Sequence, residues 1–204
     1  VAVLFGCALA TGSGIALKLL DKIDKLNSKI SVLGLGGVGM SALITLVAKN
    51  FSNITAIDND EKKLEWCKSK LNVNTVKFSE DWLIRNKDSF DFCIEASGSV
   101  LGIESGFNLV KKGGGILTFA SHPPDDQFIK IKPHDLISGK IIQGSWGGEI
   151  FPKHDFIKLA HIFQNYQKIL EESTGPIFKL SETENAILSL ENKNAFRPMI
   201  DMRL

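Results

Sequence analysis

The chain predicts an α/β fold: a doubly wound parallel six-stranded sheet with helices on both faces, followed by a C-terminal α/β segment. Three observations lead there. Strand and helix signals alternate after residue 29 with little interruption. The strand segments are apolar runs rather than strict apolar–polar alternations, the pattern of strands covered on both faces. The first strand runs directly into Gly34-Leu35-Gly36-Gly37-Val38-Gly39, a glycine turn suited to a strand-to-helix crossover. Right-handed crossovers wind such a sheet and leave its ligands at the carboxyl ends of the strands.

Each element has its own signal. Leu9 to Asp24 reads as a helix, with Ile15, Leu19, Ile23 and Leu26 on one stripe. Lys29 to Leu33 is the first strand, Val38 to Lys49 a helix, and Ile54 to Asp58 the second strand. A helix over Glu61–Lys70 and a short strand over Thr75–Phe78 follow. Ser79 precedes a helix over Asp81–Lys87. Phe90 to Glu95 is a strand and Val100 to Val110 a helix whose apolar face is broken by Leu101, Glu104 and Asn108. Gly113-Gly114-Gly115 stops that helix before the strand Ile116–Phe119, and Lys140 to Gln143 is the sixth strand. Beyond it come a helix over Asp155–Glu171, the segment Pro176–Leu180, and a helix opening on Ser181-Glu-Thr-Glu184. The spacing of that last tetrapeptide predicts a capping box. The helix ends near Asn192, and Arg197 to Asp201 finishes as a strand.

Composition sets limits on function. With 24 basic and 23 acidic residues the net charge is +1, which gives no reason to expect nucleic acid or an anionic membrane as partner. No apolar run approaches the roughly 18 residues that span a bilayer. Cys7, Cys67 and Cys93 lie too far apart for a disulfide framework or a C-x-x-C metal site, and a reducing cytoplasm suits them. Cys67 and Cys93 read as packed core residues. The abrupt apolar start, Val1 to Phe5, lacks an initiating methionine and a basic leader; it reads as a truncated chain and not as a lipoprotein signal.

The glycine turn carries chemistry as well as fold. Gly34 permits the sharp exit from the strand, Gly36 lets backbone approach a pyrophosphate, and Gly39 lets the next helix pack closely on the sheet. That helix offers free N–H groups and the positive end of its dipole to an anion. About 20 residues further on, Asp58 closes the second strand, where a carboxylate accepts hydrogen bonds from ribose hydroxyls and repels a 2′-phosphate. The pattern predicts a dinucleotide site that prefers NAD over NADP. The weaker alternative is a glycine turn in an ordinary α/β protein.

Taken in order, several segments resemble the zinc-dependent medium-chain alcohol dehydrogenase family, from about Gly6 onward. They are Gly6-Cys-Ala-Leu-Ala-Thr11-Gly-Ser-Gly14, Val32 to Gly39, Asp58 with Lys63, and Phe92-Cys-Ile-Glu-Ala-Ser-Gly98. Ala120-Ser-His-Pro-Pro124, Gly144-Ser-Trp-Gly-Gly148 and Phe196-Arg197-Pro198 complete the set. The resemblance implies a Rossmann domain over residues 9–149, preceded by the end of a catalytic domain over 1–8. Residues 150–204 would return to that domain. It implies hydride transfer between an alcohol or polyol and NAD, with Cys7 one ligand of a catalytic zinc. Without the resemblance, Cys7 reads as a buried small residue.

Further roles follow from the same resemblance. Thr11 packs on the nicotinamide, which makes it the one catalytic assignment on this chain, and Val38 is the apolar contact within a loop that includes Gly37. Asp58 takes the adenosine ribose, with Lys63 nearby. Gly98 closes the turn after the fourth strand, and Ala120, Gly144 and Trp146 fix the carboxamide through their backbone. Arg197 reaches the pyrophosphate; its alternative is an ordinary surface arginine. Ser99 stands where the family often has an arginine, so one cofactor contact is missing. His122, His134, His154 and His161 receive no role and read as surface or loop residues. The implied partner is a small-molecule alcohol, and the implied assembly a homodimer or homotetramer through the sheet edge near Lys140–Gln143.

With one thiolate and no second ligand, the chain is expected to bind NAD and to be inactive alone. Two alternatives stay open: a non-catalytic module that senses NAD(H), and a zinc-free quinone or enoyl reductase of the same superfamily.

Overall fold

The computed structural model describes residues 2–19, 27–192 and 197–203. A 3₁₀ turn, Ala2–Gly6, leads into helix α1 (Ala8–Leu19). The remainder of the predicted first helix, including Ile23 and Leu26, lies outside the described residues. The central part then alternates β1 (Ile30–Leu33), α2 (Gly37–Ala48), β2 (Ile54–Asp58), α3 (Glu61–Leu71), β3 (Asn74–Lys77) and α4 (Glu80–Arg85). It continues with β4 (Phe92–Glu95), α5 (Val100–Leu109), β5 (Ile116–Phe119), α6 (Pro133–Ile137) and β6 (Ile141–Gly144). The last part holds α7 (Pro152–Phe163), α8 (Gln167–Glu172), β7 (Ile177–Lys179), α9 (Thr183–Glu191) and β8 (Met199–Asp201).

The six strands β1–β6 form one all-parallel sheet in the order β3-β2-β1-β4-β5-β6. The order reverses between β1 and β4, so the crevice at the carboxyl ends of these two strands is the topological switch point. Burial follows position in the sheet. The strands β1 and β4 are buried at every residue, whereas the edge strands β3 and β6 are exposed at both ends. This is why the inner strands read as unbroken apolar runs and the edges do not.

One apolar core joins Leu9 and Ile15 of α1, Leu43 and Leu46 of α2, and Ile30 and Ile54 of the sheet to Leu159, Phe163 and Leu170 of α7 and α8. The other face of the sheet holds Leu33, Ile57, Cys93, Ile103, Phe107 and Leu117. Cys67 and Cys93 are buried. Among the described residues no helix is long and apolar enough to cross a membrane.

Three local expectations are corrected and one helix is added. The helix predicted over Asp155–Glu171 starts at Pro152 and is broken by a 3₁₀ turn, Gln164–Tyr166, into α7 and α8. The capping box predicted at Ser181–Glu184 is displaced: Glu182 accepts the Lys179 N–H at 2.9 Å, a 3₁₀ turn fills Leu180–Glu182, and α9 starts at Thr183. The same box geometry is thus present two residues earlier, on Lys179 and Glu182. Helix α6 had no sequence signal beyond Pro133 at its first position. Lys140 precedes β6 instead of beginning it.

Candidate functional site

At the switch point the backbone turns out of β1 at Gly34, whose φ of +88° favours glycine. A side chain there would also press on the Ser97 amide, 2.5 Å from the position of its Cβ. Gly39 sits where a side chain would run into the Gly34 carbonyl oxygen, so only glycine lets α2 start this close to the strand. Gly36 is the N-cap of α2 and has no side chain to satisfy the helix's first N–H groups. The space around its missing Cβ is open within 4 Å. Gly37 and Val38 form the first turn of α2, half-buried.

Arg197 comes to the same place from the other end of the chain. Its Nη1 lies against Gly37, so that a methyl group at that position would collide with it. The arginine joins Gly36, Gly37 and Ser41 in lining a small cavity at the start of α2. The structure therefore brings a cation and a helix N-terminus together across roughly 160 residues of sequence, a proximity that spacing alone could not show.

On the far side of the turn lies a cleft of about 290 Å³ lined by Gly34, Gly36, Asp58, Lys63, Ser97 and Ser99 among others. Asp58 is half-buried, and each of its oxygens is held by backbone: Oδ2 accepts the Leu35 N–H at 2.5 Å and Oδ1 the Asp60 N–H at 2.9 Å. Asp60 in turn caps α3 through the Lys62 and Lys63 N–H groups, which fixes Lys63 beside the cleft. Ser99 caps α5 by accepting the Gly102 N–H at 3.0 Å. Its hydroxyl thus serves the helix.

The sequence reading missed Glu95, which ends β4 and is 0 % exposed. Its Oε1 accepts the Ser97 N–H at 2.7 Å, the Ser97 hydroxyl at 2.6 Å and the Ser121 hydroxyl at 2.9 Å. Ser121 in turn accepts the Gly98 N–H at 2.6 Å. The other oxygen, Oε2, has no hydrogen-bond partner among the described residues. Burial pushes this carboxyl above its ordinary range, against the hydrogen bonds from Ser97 and Ser121 that pull it down. The available signal was a lone acidic residue at the end of an apolar strand.

Thr11 lies buried on α1, its N–H bonded to the Cys7 carbonyl at 2.9 Å, and its own carbonyl packs against Gly148. Cys7 is exposed, not the buried small residue it would be if read alone. Ala120 follows β5 and donates its N–H to the Glu95 carbonyl at 2.9 Å. Gly144 ends β6, and Trp146 beyond it is 81 % exposed, edge-on to His122 at 4.9 Å. His134, His154 and His161 are exposed, like His122. Among the described residues no three Cys, His, Asp or Glu side chains are grouped to hold a metal.

The sequence profile of zinc-binding dehydrogenases matches residues 37–165, more than half of the chain. The chain belongs to this family. An alcohol dehydrogenase class-3 from Dictyostelium discoideum is 23% identical over 98% of the chain and 55% of its own length. The class-2 isozyme 2 of Oryctolagus cuniculus is 30% identical over 74% of the chain and 42% of its own. The chain spans about half the length of the curated relatives it matches. Benzyl alcohol dehydrogenase from Acinetobacter calcoaceticus superposes with a TM-score of 0.85 at 24% identity, over 96% of the chain and 55% of that structure. An alcohol dehydrogenase from Thermotoga maritima gives 0.82 at 17%, over 97% and 55%. The shared architecture is the Rossmann-type portion of the zinc-binding dehydrogenases.

Proposed function

We propose that this chain is the NAD-binding portion of an alcohol dehydrogenase, and that the 204-residue chain binds NAD(H) without turning over an alcohol by itself. One observation carries the reading: the open N-terminus of α2 at Gly36 borders both the small cavity that Arg197 lines and the cleft that the Asp58 carboxylate lines, on the two sides of the glycine turn at the strand reversal. The first two supply positive charge and free N–H donors to a pyrophosphate. Asp58, already oriented by two backbone N–H groups, keeps lone pairs for ribose hydroxyls and repels a 2′-phosphate. Lys63 stands beside it. Gly98 leaves its surroundings open for a ligand to approach.

When bound, NAD supplies the hydride acceptor for alcohol oxidation. The chain's residues orient and enclose it. Thr11 and Val38 offer the surface on which the nicotinamide packs, and the backbone of Ala120, Gly144 and Trp146 offers partners for the carboxamide. Zinc fits less well, because Cys7 is one exposed thiol with no cluster of further donors among the described residues. Residues 150–204 we assign to the catalytic domain's return segment. Self-association would use the edge strand β6, where Ile141 is exposed, and light scattering tests it. The free cysteines suit a cytoplasmic setting.

Titration with NADH and NADPH, followed by nicotinamide fluorescence, tests the reading. NADH should bind at least about tenfold more tightly, and Asp58→Ala should narrow the gap, since a unit charge repelled at about 4 Å costs about 1 kcal/mol in bulk water and about 4 kcal/mol near a protein surface, and tenfold is about 1.4 kcal/mol. Equal affinities in the unaltered chain would remove Asp58 from its role. Absence of binding to either would remove the dinucleotide site.

A further inference from the structure

A buried carboxylate with one oxygen crowded and the other unpartnered is an expensive thing to keep at the end of a strand. Glu95 is such a group, and its position connects it to the cleft. Its three hydrogen bonds hold Ser97 by both N–H and hydroxyl, and hold Ser121, which in turn holds the Gly98 N–H. The turn Ala96–Gly98 is thereby tied from below. That turn is in direct contact with the glycine turn, since the Ser97 N and Cα lie 2.5 and 2.6 Å from where a Gly34 side chain would begin. Ser97 and Ser99 then line the same cleft as Gly34, Gly36 and Asp58.

The connection is close on every side. The α5 helix presents Gly102 and Gly106 to Glu95: a side chain at Gly102 would strike the Ser97 hydroxyl and lie 2.7 Å from Glu95 Oε1. Leu33 and Phe119 flank it in the sheet. Cys93 on its own strand feels the charge on Glu95 and is a buried thiol whose pKa burial pushes up to about 12, so it stays neutral. Among the described residues no salt bridge involves Glu95. Its charge is met only by the two serines, and these belong to the wall of the cleft.

We propose that Glu95 is a positioning residue for the dinucleotide: its ionised carboxylate clamps the Ala96–Gly98 turn against the glycine turn, so that cofactor affinity follows the charge on Glu95. The proposal rests on the dinucleotide reading above and adds to it a named control on the shape of the cleft. Ionised, the carboxylate makes charge-assisted bonds, roughly twice as strong as neutral ones. Protonated, or replaced by glutamine, the side chain keeps its shape and loses that grip.

The test uses the whole chain and two readouts. In the cofactor-free protein, the Ser97 and Gly98 amide resonances should titrate together with one midpoint above the ordinary carboxyl range, and Glu95→Gln should abolish the titration. Ser121→Ala should uncouple Gly98 while leaving Ser97 titrating, because Ser121 is the link between them. In the second readout, NADH affinity should weaken by about tenfold as pH falls through the midpoint of that amide titration, while Glu95→Gln sits at the low-pH affinity throughout. Amides that do not titrate overturn the clamp whatever the cofactor does. Titrating amides with Glu95→Gln binding NADH as tightly as the unaltered chain at pH about 8, or sharing its pH profile, overturn the positioning role. Titrating amides without any NADH binding remove the dinucleotide reading, and the positioning role with it.

Discussion

Lys140 and Glu95 are both charged groups buried within one sheet, at opposite ends of it. Lys140 stands just before β6 with its side chain 0% exposed, 2.5 Å from Asp88, 3.0 and 3.3 Å from the Phe107 and Asn108 carbonyls, and over the Phe107 ring at 5.4 Å. Its ammonium is answered by a carboxylate as an ion pair, by two carbonyls and by a π-face. The two carbonyls belong to the end of α5, so the cation also answers orphan acceptors of a helix C-terminus. Glu95 is treated differently: among the described residues it has no counter-ion, one oxygen triply bonded and the other without a hydrogen-bond partner. The amino-terminal end of the sheet balances its buried charge, and the carboxyl-terminal end leaves one unbalanced beside the cleft. A fold retains such a cost where function needs it.

Three substitutions sharpen that contrast. Lys140→Met should destabilise the chain by about 3 kcal/mol, since it strands Asp88 and two carbonyls, while the NADH affinity of the folded protein stays unchanged. Denaturant unfolding and fluorescence titration read the two quantities, and a large loss of affinity would show that the two ends are not independent. Arg197→Ala should do the reverse: NADH affinity drops by about 2 kcal/mol, roughly thirtyfold, with little change in unfolding midpoint. If stability collapses instead, the arginine is a packing element of α2.

The smallest effect is the pH dependence of stability at Glu95. Because burial raises its folded pKa, the folded chain holds the proton more tightly than the unfolded one. Stability therefore falls as pH rises from the ordinary carboxyl value of about 4.3 through the raised folded value, and levels off above it. Glu95→Gln should lack this slope. Thermal unfolding across that window checks it, and an identical slope in the variant would place the titration elsewhere. Stability and cofactor affinity should thus move in opposite directions with pH.

Much of this architecture was legible without coordinates. The glycine spacing and Asp58 gave the switch point, because each of those residues is demanded by a local constraint: a positive φ, a helix start against a strand, a carboxylate at a strand end. Unbroken apolar runs gave the inner strands. The 3₁₀ break at Gln164–Tyr166 and the displaced cap at Glu182 were not legible, since an α-helical and a 3₁₀ turn differ by one residue in hydrogen-bond reach and local sequence leaves both open. Cys7, read alone as a buried small residue, proved exposed for a related reason: burial depends on what lies opposite.

The sequence by itself determined the order of the elements and the chemistry offered at the glycine turn, because hydrophobic periodicity and backbone sterics act over a few residues. Tertiary structure alone decided which distant groups meet. It set Arg197 against Gly37, joined Glu95 at the end of β4 to Ser121 just past the neighbouring β5, and gave Lys140 its partner in Asp88. The physical reason is that electrostatic and hydrogen-bond energies depend on distance and on exclusion of water, and neither is fixed until the sheet has formed.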